Sequence, residues 1–213
     1  MKLQIITAIA MVSTMIFSGC TTADQNVSKI NTPAIVENKI QPPFRFHKAI
    51  EVKPGLTFDV VSWGRGSETS GVYMILRSDS TRLEFKTTNA PLDGVLQDAW
   101  NMDMDSDGNP EIFIQAEGEG EGSHLNMYVY EFNNSGNGQK ITFPSLSGSM
   151  KKGYKGNDSV YVKDGKLMRE FPVVEESDAE KNARNKVLEY NLRGNSFSVK
   201  EIKEEDSNDK KSK

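Results

Sequence analysis

The sequence predicts an all-β domain, a single antiparallel β-sandwich or flattened barrel of about eight strands. Three observations lead there. Apolar residues recur along most of the chain with a period near two rather than about 3.6. Clusters of Gly, Asn, Asp and Ser separate the apolar runs at short intervals, as hairpins and meanders require. Cys20 is the only cysteine, so no disulfide can brace the domain and a hydrophobic core must hold it.

In chain order, Phe58, Val60 and Ser62 alternate with Asp59, Val61 and Trp63. Val72, Met74 and Leu76 alternate with Tyr73, Ile75 and Arg77, and Leu83 and Phe85 alternate with charged neighbours. Further strand-like runs occupy 94–100, 111–115, 125–132, 139–143, 159–162, 167–171, 187–192 and 197–202. The separators include Gly64-Arg65-Gly66, Ser78-Asp79-Ser80, Asn133-Asn134-Ser135-Gly136 and Arg193-Gly194-Asn195. Asp164-Gly165 marks a two-residue hairpin, because the favoured turn needs positive φ at both central positions. One helical turn is expected over 178–185, where Glu, Ala, Lys and Arg gather. Trp63, Trp100 and Phe113 read as core residues.

Four segments organise the chain. Residues 1–19 have a basic start, a short apolar run from Leu3 to Phe17 and a small-residue end, Ser18-Gly19. That is the pattern of an export signal, too short to span a bilayer. Residues 20–43 are polar and end in Pro42-Pro43, a tether. Residues 44–202 form the domain, and 203–213 a charged tail expected to be disordered. Phe17-Ser18-Gly19-Cys20 resembles the lipobox of bacterial lipoproteins. That resemblance implies acylation of Cys20, which becomes the first residue of the mature chain, and anchoring of the protein in a membrane through its lipid. Thr21 stands where inner-membrane lipoproteins of enteric bacteria carry Asp, which implies the outer membrane. The mature chain then carries 25 basic against 30 acidic side chains, which argues against general nucleic-acid binding.

Charge is segregated. Between Thr87 and Gln139 stand Asp93, Asp98, Asp103, Asp105, Asp107, Glu111, Glu117, Glu119, Glu121 and Glu131, with no Lys or Arg. Within this stretch, 103–111 reads Asp-Met-Asp-Ser-Asp-Gly-Asn-Pro-Glu. Alternate carboxylates on a tight loop can converge on one cation. Gly108 permits the bend, the Asn109 carbonyl can point inward and Glu111 can close the shell. Oxygen ligands in this number, Asp103, Asp105, Asp107, Asn109 and Glu111, suit Ca²⁺ better than Zn²⁺ or Mg²⁺. Ile114 occupies the position where an EF-hand needs Glu, so the alternatives are a strand-to-strand calcium loop or an Asp-rich turn. Loops of this form also occur in integrin-type propeller repeats, but one copy cannot build a propeller. The Glu-Gly alternation over 117–122 reads as a solvated hairpin loop, or as a second acidic contact surface.

From Lys140 to Arg169 the sign reverses. Residues 144–158 make a long loop of small residues, three lysines and one tyrosine, and long loops in compact domains are often functional. Three pieces, 99–111, 153–158 and 166–173 followed by 188–192, together resemble the periplasmic inhibitors of invertebrate-type (I-type) lysozymes. The resemblance implies an eight-stranded antiparallel sandwich whose loops plug the lysozyme cleft. It also implies an inhibitory Ser-Gly pair with a nearby Tyr, for which Ser147, Gly148 and Tyr154 are the candidates here. Lys151, Lys152 and Lys155 would add charge complementarity to the catalytic carboxylates of the enzyme.

The expected function is therefore that of an envelope lipoprotein that binds and inhibits lysozyme by inserting a loop into its cleft. The alternative is a calcium-binding surface module that recognises glycan or protein. An enzyme is not expected, because His47 and His124 have no neighbouring Ser or Asp that reads as a triad.

Overall fold

The computed structural model describes residues 40–119, 122–174 and 184–203. Cys20, the export signal, most of the tether, all but Lys203 of the tail, Glu121 and most of the expected helical turn lie outside the described residues. The last two residues of that turn, Arg184 and Asn185, are strand. The first four strands are β1 (Phe44–Lys53), β2 (Leu56–Trp63), β3 (Ser70–Asp79) and β4 (Glu84–Asp93). The next four are β5 (Val95–Met102), β6 (Glu111–Glu117), β7 (Leu125–Phe132) and β8 (Gly138–Ile141). A short helical turn, α1 (Gly148–Lys151), precedes β9 (Ser159–Lys163), β10 (Lys166–Val173), β11 (Arg184–Arg193) and β12 (Ser196–Ile202).

The fold is all-β and antiparallel. It has three four-stranded meanders, β1-β2-β3-β4, β5-β6-β7-β8 and β9-β10-β11-β12. The twelve strands among the described residues exceed the eight expected because the middle sheet packs on both faces. In β6, Ile112, Ile114 and Ala116 join a core with Phe58, Val60, Tyr73 and Ile75 of the first sheet. Phe113, between them, points the other way, into a core with Leu167, Phe171, Leu188 and Tyr190 of the third. A strand buried on both sides reads as a continuous apolar run rather than an alternation. Ile112-Phe113-Ile114 is that run.

Local irregularities keep the faces in register. A bulge between Leu96 and Asp98 in β5 lets Leu96 and Ala99, three residues apart, enter the same core. Trp100 then faces the second core, where it stacks on Phe113 with ring centroids 5.6 Å apart. The first core holds one buried polar pair, the Tyr73 and Tyr130 hydroxyls at 2.9 Å. The β9–β10 turn is the hairpin predicted from Asp164-Gly165, with φ of 52° and 75°. Gly194-Asn195 does the same for β11 and β12, with φ of 50° and 63°.

The meanders give the first two sheets two poles. At one lie the turns β1–β2, β3–β4 and β7–β8 and the 103–110 loop. They are tied by Ser80 N–H to Gly55 O at 2.8 Å, Arg82 Nη1 to Asn134 O at 2.9 Å and Phe132 N–H to Pro110 O at 3.0 Å. At the other lie the start of β1, the β2–β3 loop, the β6–β7 loop and the 142–158 connection. There Gly64 N–H bonds Pro43 O at 3.1 Å and Gly94 N–H bonds Thr69 O at 2.6 Å. Residues 39–213 make one compact unit containing all twelve strands and both cores, so this segment has what it needs to fold alone.

Phe113 is fully buried and supports the second core from the strand that also builds the first. Phe113→Ala is therefore expected to destabilise the 39–213 segment by about 3–5 kcal/mol. Urea unfolding of the two proteins measures it; a loss of under about 1 kcal/mol would mean that the middle sheet does not depend on this contact.

Candidate functional site: an acidic loop and a basic loop at opposite poles

The acidic loop joins β5 to β6, at the pole of the three turns. Ser106 and Gly108 take positive φ, 61° and 86°, which reverses the chain within a few residues. The loop is held by its own carboxylates. Asp103 accepts the N–H of Asp107 at 3.1 Å and of Gly108 at 3.2 Å. Asp107 accepts the main-chain N–H of Asn109 and its side-chain amide, both at 2.8 Å. Glu111 Oε2 accepts the Met104 N–H at 2.7 Å. One oxygen from each of Asp103, Asp105, Asp107 and Glu111 lies within 4.8 Å of the others.

Two oxygens in this cluster are buried without any hydrogen-bond partner, Glu111 Oε1 and Asp105 Oδ1. Glu111 is 0 % exposed. A buried, unpaired carboxylate oxygen is costly, and so is its proximity to other anions. At an effective dielectric constant of ~20, two unit charges at such spacing repel by roughly 3 kcal/mol. Burial, followed by Asp105, Asp103 and Glu131, pushes the Glu111 carboxyl up from 4.5 to about 7, against the opposing effect of the Met104 N–H. Glu131 is the residue that sequence reasoning missed. It stands directly opposite Glu111 in the β6–β7 ladder, a like-charge pair that disfavours the strand pairing. Its own carboxyl is raised by burial and then by Asp107, Asp105 and Asp103. Nineteen residues of intervening chain gave no sign of this, because the pairing exists only once β6 and β7 are in register.

All the donors are hard oxygens. A divalent cation at their centre would occupy the two orphaned oxygens and offset the repulsion, and a site rich in carboxylates and carbonyls fits Ca²⁺. Asp103, Asp105, Asp107 and Glu111 are brought together as their spacing predicts. Asn109, the fifth ligand expected from the sequence, turns its side-chain amide to Asp107.

The basic loop lies at the other pole, about 20 Å away along the seven residues of β6. Ser145, Ser147, Gly148, Ser149, Lys151, Lys152 and Lys155 are exposed. Ser147 precedes α1 but makes no side-chain capping bond. Lys186 holds the loop from beneath by donating to Ser149 O at 2.6 Å. Phe143, Leu146 and Met150 pack on the second core.

Tyr154 differs from its neighbours. Its hydroxyl donates to Asp158 Oδ2 at 2.6 Å and accepts from Arg169 Nη2 at 3.1 Å, while Arg169 Nε donates to Asp158 Oδ1 at 2.6 Å. Arg169 and Asp158 have side chains only 5 % and 2 % exposed. The guanidinium also lies over the Tyr154 and Phe171 rings. Burial and the bond to Asp158 push the Tyr154 hydroxyl up to about 12. A main-chain bridge to Val173 adds a further tie. Tyr154 is thus a fastening of the loop, whereas the serines and lysines are its free edge. Among the histidines, His47 Nε2 lies 2.6 Å from Asp59 Oδ1 on the outer face of the first sheet, and His124 meets the Tyr154 ring edge-on.

Comparison with protein-family models, curated proteins and solved structures gives no match for the chain.

The Glu111 shift carries a pH consequence for the calcium-free domain. A carboxyl raised in the folded state favours folding while protonated, so its contribution is present below about 4.5 and lost as pH rises through about 7. In chelator, the 39–213 segment should therefore lose up to about 3 kcal/mol across that window. Glu111→Gln should flatten the slope; urea midpoints as a function of pH decide it, and an unchanged slope would place the effect elsewhere.

Proposed function

We propose that this chain is a non-catalytic binding module of the bacterial envelope whose β-stack is locked by Ca²⁺ on the 103–111 loop. The observation that supports it best is Glu111, a fully buried carboxylate with an orphaned oxygen facing three aspartates. Asp103, Asp105, Asp107, Glu111 and the Asn109 carbonyl are the ligands. Acylation of Cys20 holds the protein at the membrane, with the outer membrane as the location implied by the lipobox resemblance. The ion binds the folded chain only, so it stabilises by mass action, about 2.7 kcal/mol at a hundredfold excess over its Kd. Melting curves in calcium and in chelator should separate by several degrees, and Asp105→Asn together with Asp107→Asn should bring them together. Superimposable wild-type curves would leave a plain acidic turn.

A second reading concerns the partner. The exposed serines and lysines of the 145–155 loop favour a contact with an acidic cleft, and the resemblance makes that cleft the one in an I-type lysozyme. Ser147 would hydrogen-bond a catalytic carboxylate, with Lys151, Lys152 and Lys155 around it. Gly148, at φ of 54°, keeps the turn open for close approach. Tyr154 supports the loop from behind through Asp158 and Arg169. On this reading Ser147→Ala with Lys151→Ala weakens inhibition at least tenfold (about 1.4 kcal/mol) and leaves the melting temperature unchanged. Tyr154→Phe lowers stability as well. If the wild-type protein leaves I-type, chicken-type and goose-type lysozymes fully active, the partner is another molecule.

A further inference from the structure

The first half of β7 has an open edge. Phe132 N–H bonds Pro110 O and Gly118 N–H bonds His124 O, both toward the β6 side. Even-numbered residues of β7 therefore turn their main-chain groups to β6, and odd-numbered residues turn theirs to the β8 side. β8 covers only Val129–Phe132. Beyond its end, Leu125 N–H donates to Asp158 Oδ2 at 3.2 Å. Met127 N–H and C=O and the Leu125 C=O face the same way, and they have no hydrogen-bond partner among the described residues. Main-chain groups left on a strand edge are a template for another chain.

The edge adjoins a cavity. β8 ends at Ile141, and Phe143 then stacks on Tyr190 of the third sheet with ring centroids 4.6 Å apart. A cavity of about 440 Å³ is lined by residues 124–127 and 143–146, the two segments that part there. Met127, Phe143 and Leu146 form its apolar wall and pack on the second core as well. Apart from Tyr154, its ionisable groups are all bases, His124, Lys151 and Arg169. Asp158 offsets Arg169. Lys151 is exposed and makes no ion pair among the described residues.

The unpaired groups say what kind of ligand fits. An N–H and a C=O on one strand residue are matched by the C=O and N–H of another extended chain. Strand addition draws affinity from such bonds and specificity from pockets for alternate side chains. An apolar pocket beside the edge, with a free cation at its rim, selects an apolar anchor and a carboxylate. We propose that the Leu125–Met127 edge takes an extended peptide as an added strand along the track of β8. One large apolar side chain of the peptide enters the cavity, and an acidic side chain two positions away, on the same face, meets Lys151. The contact rests on the reading of the chain as a binding module, but it needs neither the cation nor lysozyme.

The probe is a phage-displayed library of random linear peptides, selected on the 39–213 segment in calcium-containing buffer. Enriched peptides are expected to combine a large apolar residue with Asp or Glu two positions away. A synthetic copy should slow exchange of the Met127 amide proton at least about tenfold, read by NMR. N-methylation of the peptide amides that face the edge should abolish binding while leaving every side chain in place. Lys151→Glu should weaken binding at least about tenfold with the melting temperature unchanged. No enrichment overturns the proposal. So does protection on another strand with Met127 unchanged, which would leave the Met127 groups to water. Equal binding of the N-methylated peptide overturns it by placing the ligand through side chains alone, and equal binding to Lys151→Glu by removing the acidic contact. Calcium-dependent melting and lysozyme inhibition are read separately, so failure here leaves the calcium-locked module standing.

Discussion

The middle sheet must be apolar on both faces, and most of the structure follows from that demand. β6 supplies Ile112 and Ile114 to one core and Phe113 to the other, so its neighbours on either side are fixed by the same few residues. The strand nevertheless begins with Glu111, a carboxylate at 0 % exposure. A polar group in such a place has to be satisfied locally. The loop that precedes it provides one N–H, from Met104, and then presents three more carboxylates where donors are wanted. The architecture thus creates an electrostatic need at the start of its central strand, which protonation of Glu111 or a bound cation would meet.

The two ends of the molecule answer different physical requirements. At the acidic pole the problem is repulsion among groups held close together. At the basic pole the problem is holding a long loop in one shape while leaving its edge free. The Tyr154–Asp158–Arg169 set solves the second with charge-assisted hydrogen bonds that are almost wholly buried. Breaking such a set by removing one charged partner is costly, because the other charge is left stranded. A partner bound at that loop would touch residues that are cheap to change, while the residues that position them are expensive to change.

Much of this was legible in the chain. Alternation identified β2, β3 and β7, and Asp164-Gly165 identified the β9–β10 hairpin. The spacing of Asp103, Asp105, Asp107 and Glu111 predicted their convergence, because alternate residues of a tight loop project to one side. Other parts could not be read. β1 was hidden because His47 and Lys48 interrupt its apolar pattern and register shifts near both ends break its period. The third layer was hidden because period two describes a strand with one buried face, and β6 has two. Glu131, Asp158 and Arg169 were not legible as site residues, since each acquires its role from a strand pairing or a packing contact far along the sequence. Tyr154 was singled out as a partner contact, and the sequence could not show that its hydroxyl bonds Asp158 and Arg169 within the fold.

The sheets are consecutive in the chain, 44–93, 95–141 and 159–202, and within each one every strand pairs with its sequence neighbour. Such a topology has low contact order, which favours rapid formation of each meander once its four strands are available. No meander can bury its apolar face alone, however, since each core lies between two sheets. A chain emerging N-terminus first from a pore would therefore hold its first meander with an uncovered face until β6 and β7 arrive. That interval, set by the rate of emergence and not by the speed of hairpin closure, is when the nascent protein is most exposed to aggregation or to capture by a chaperone.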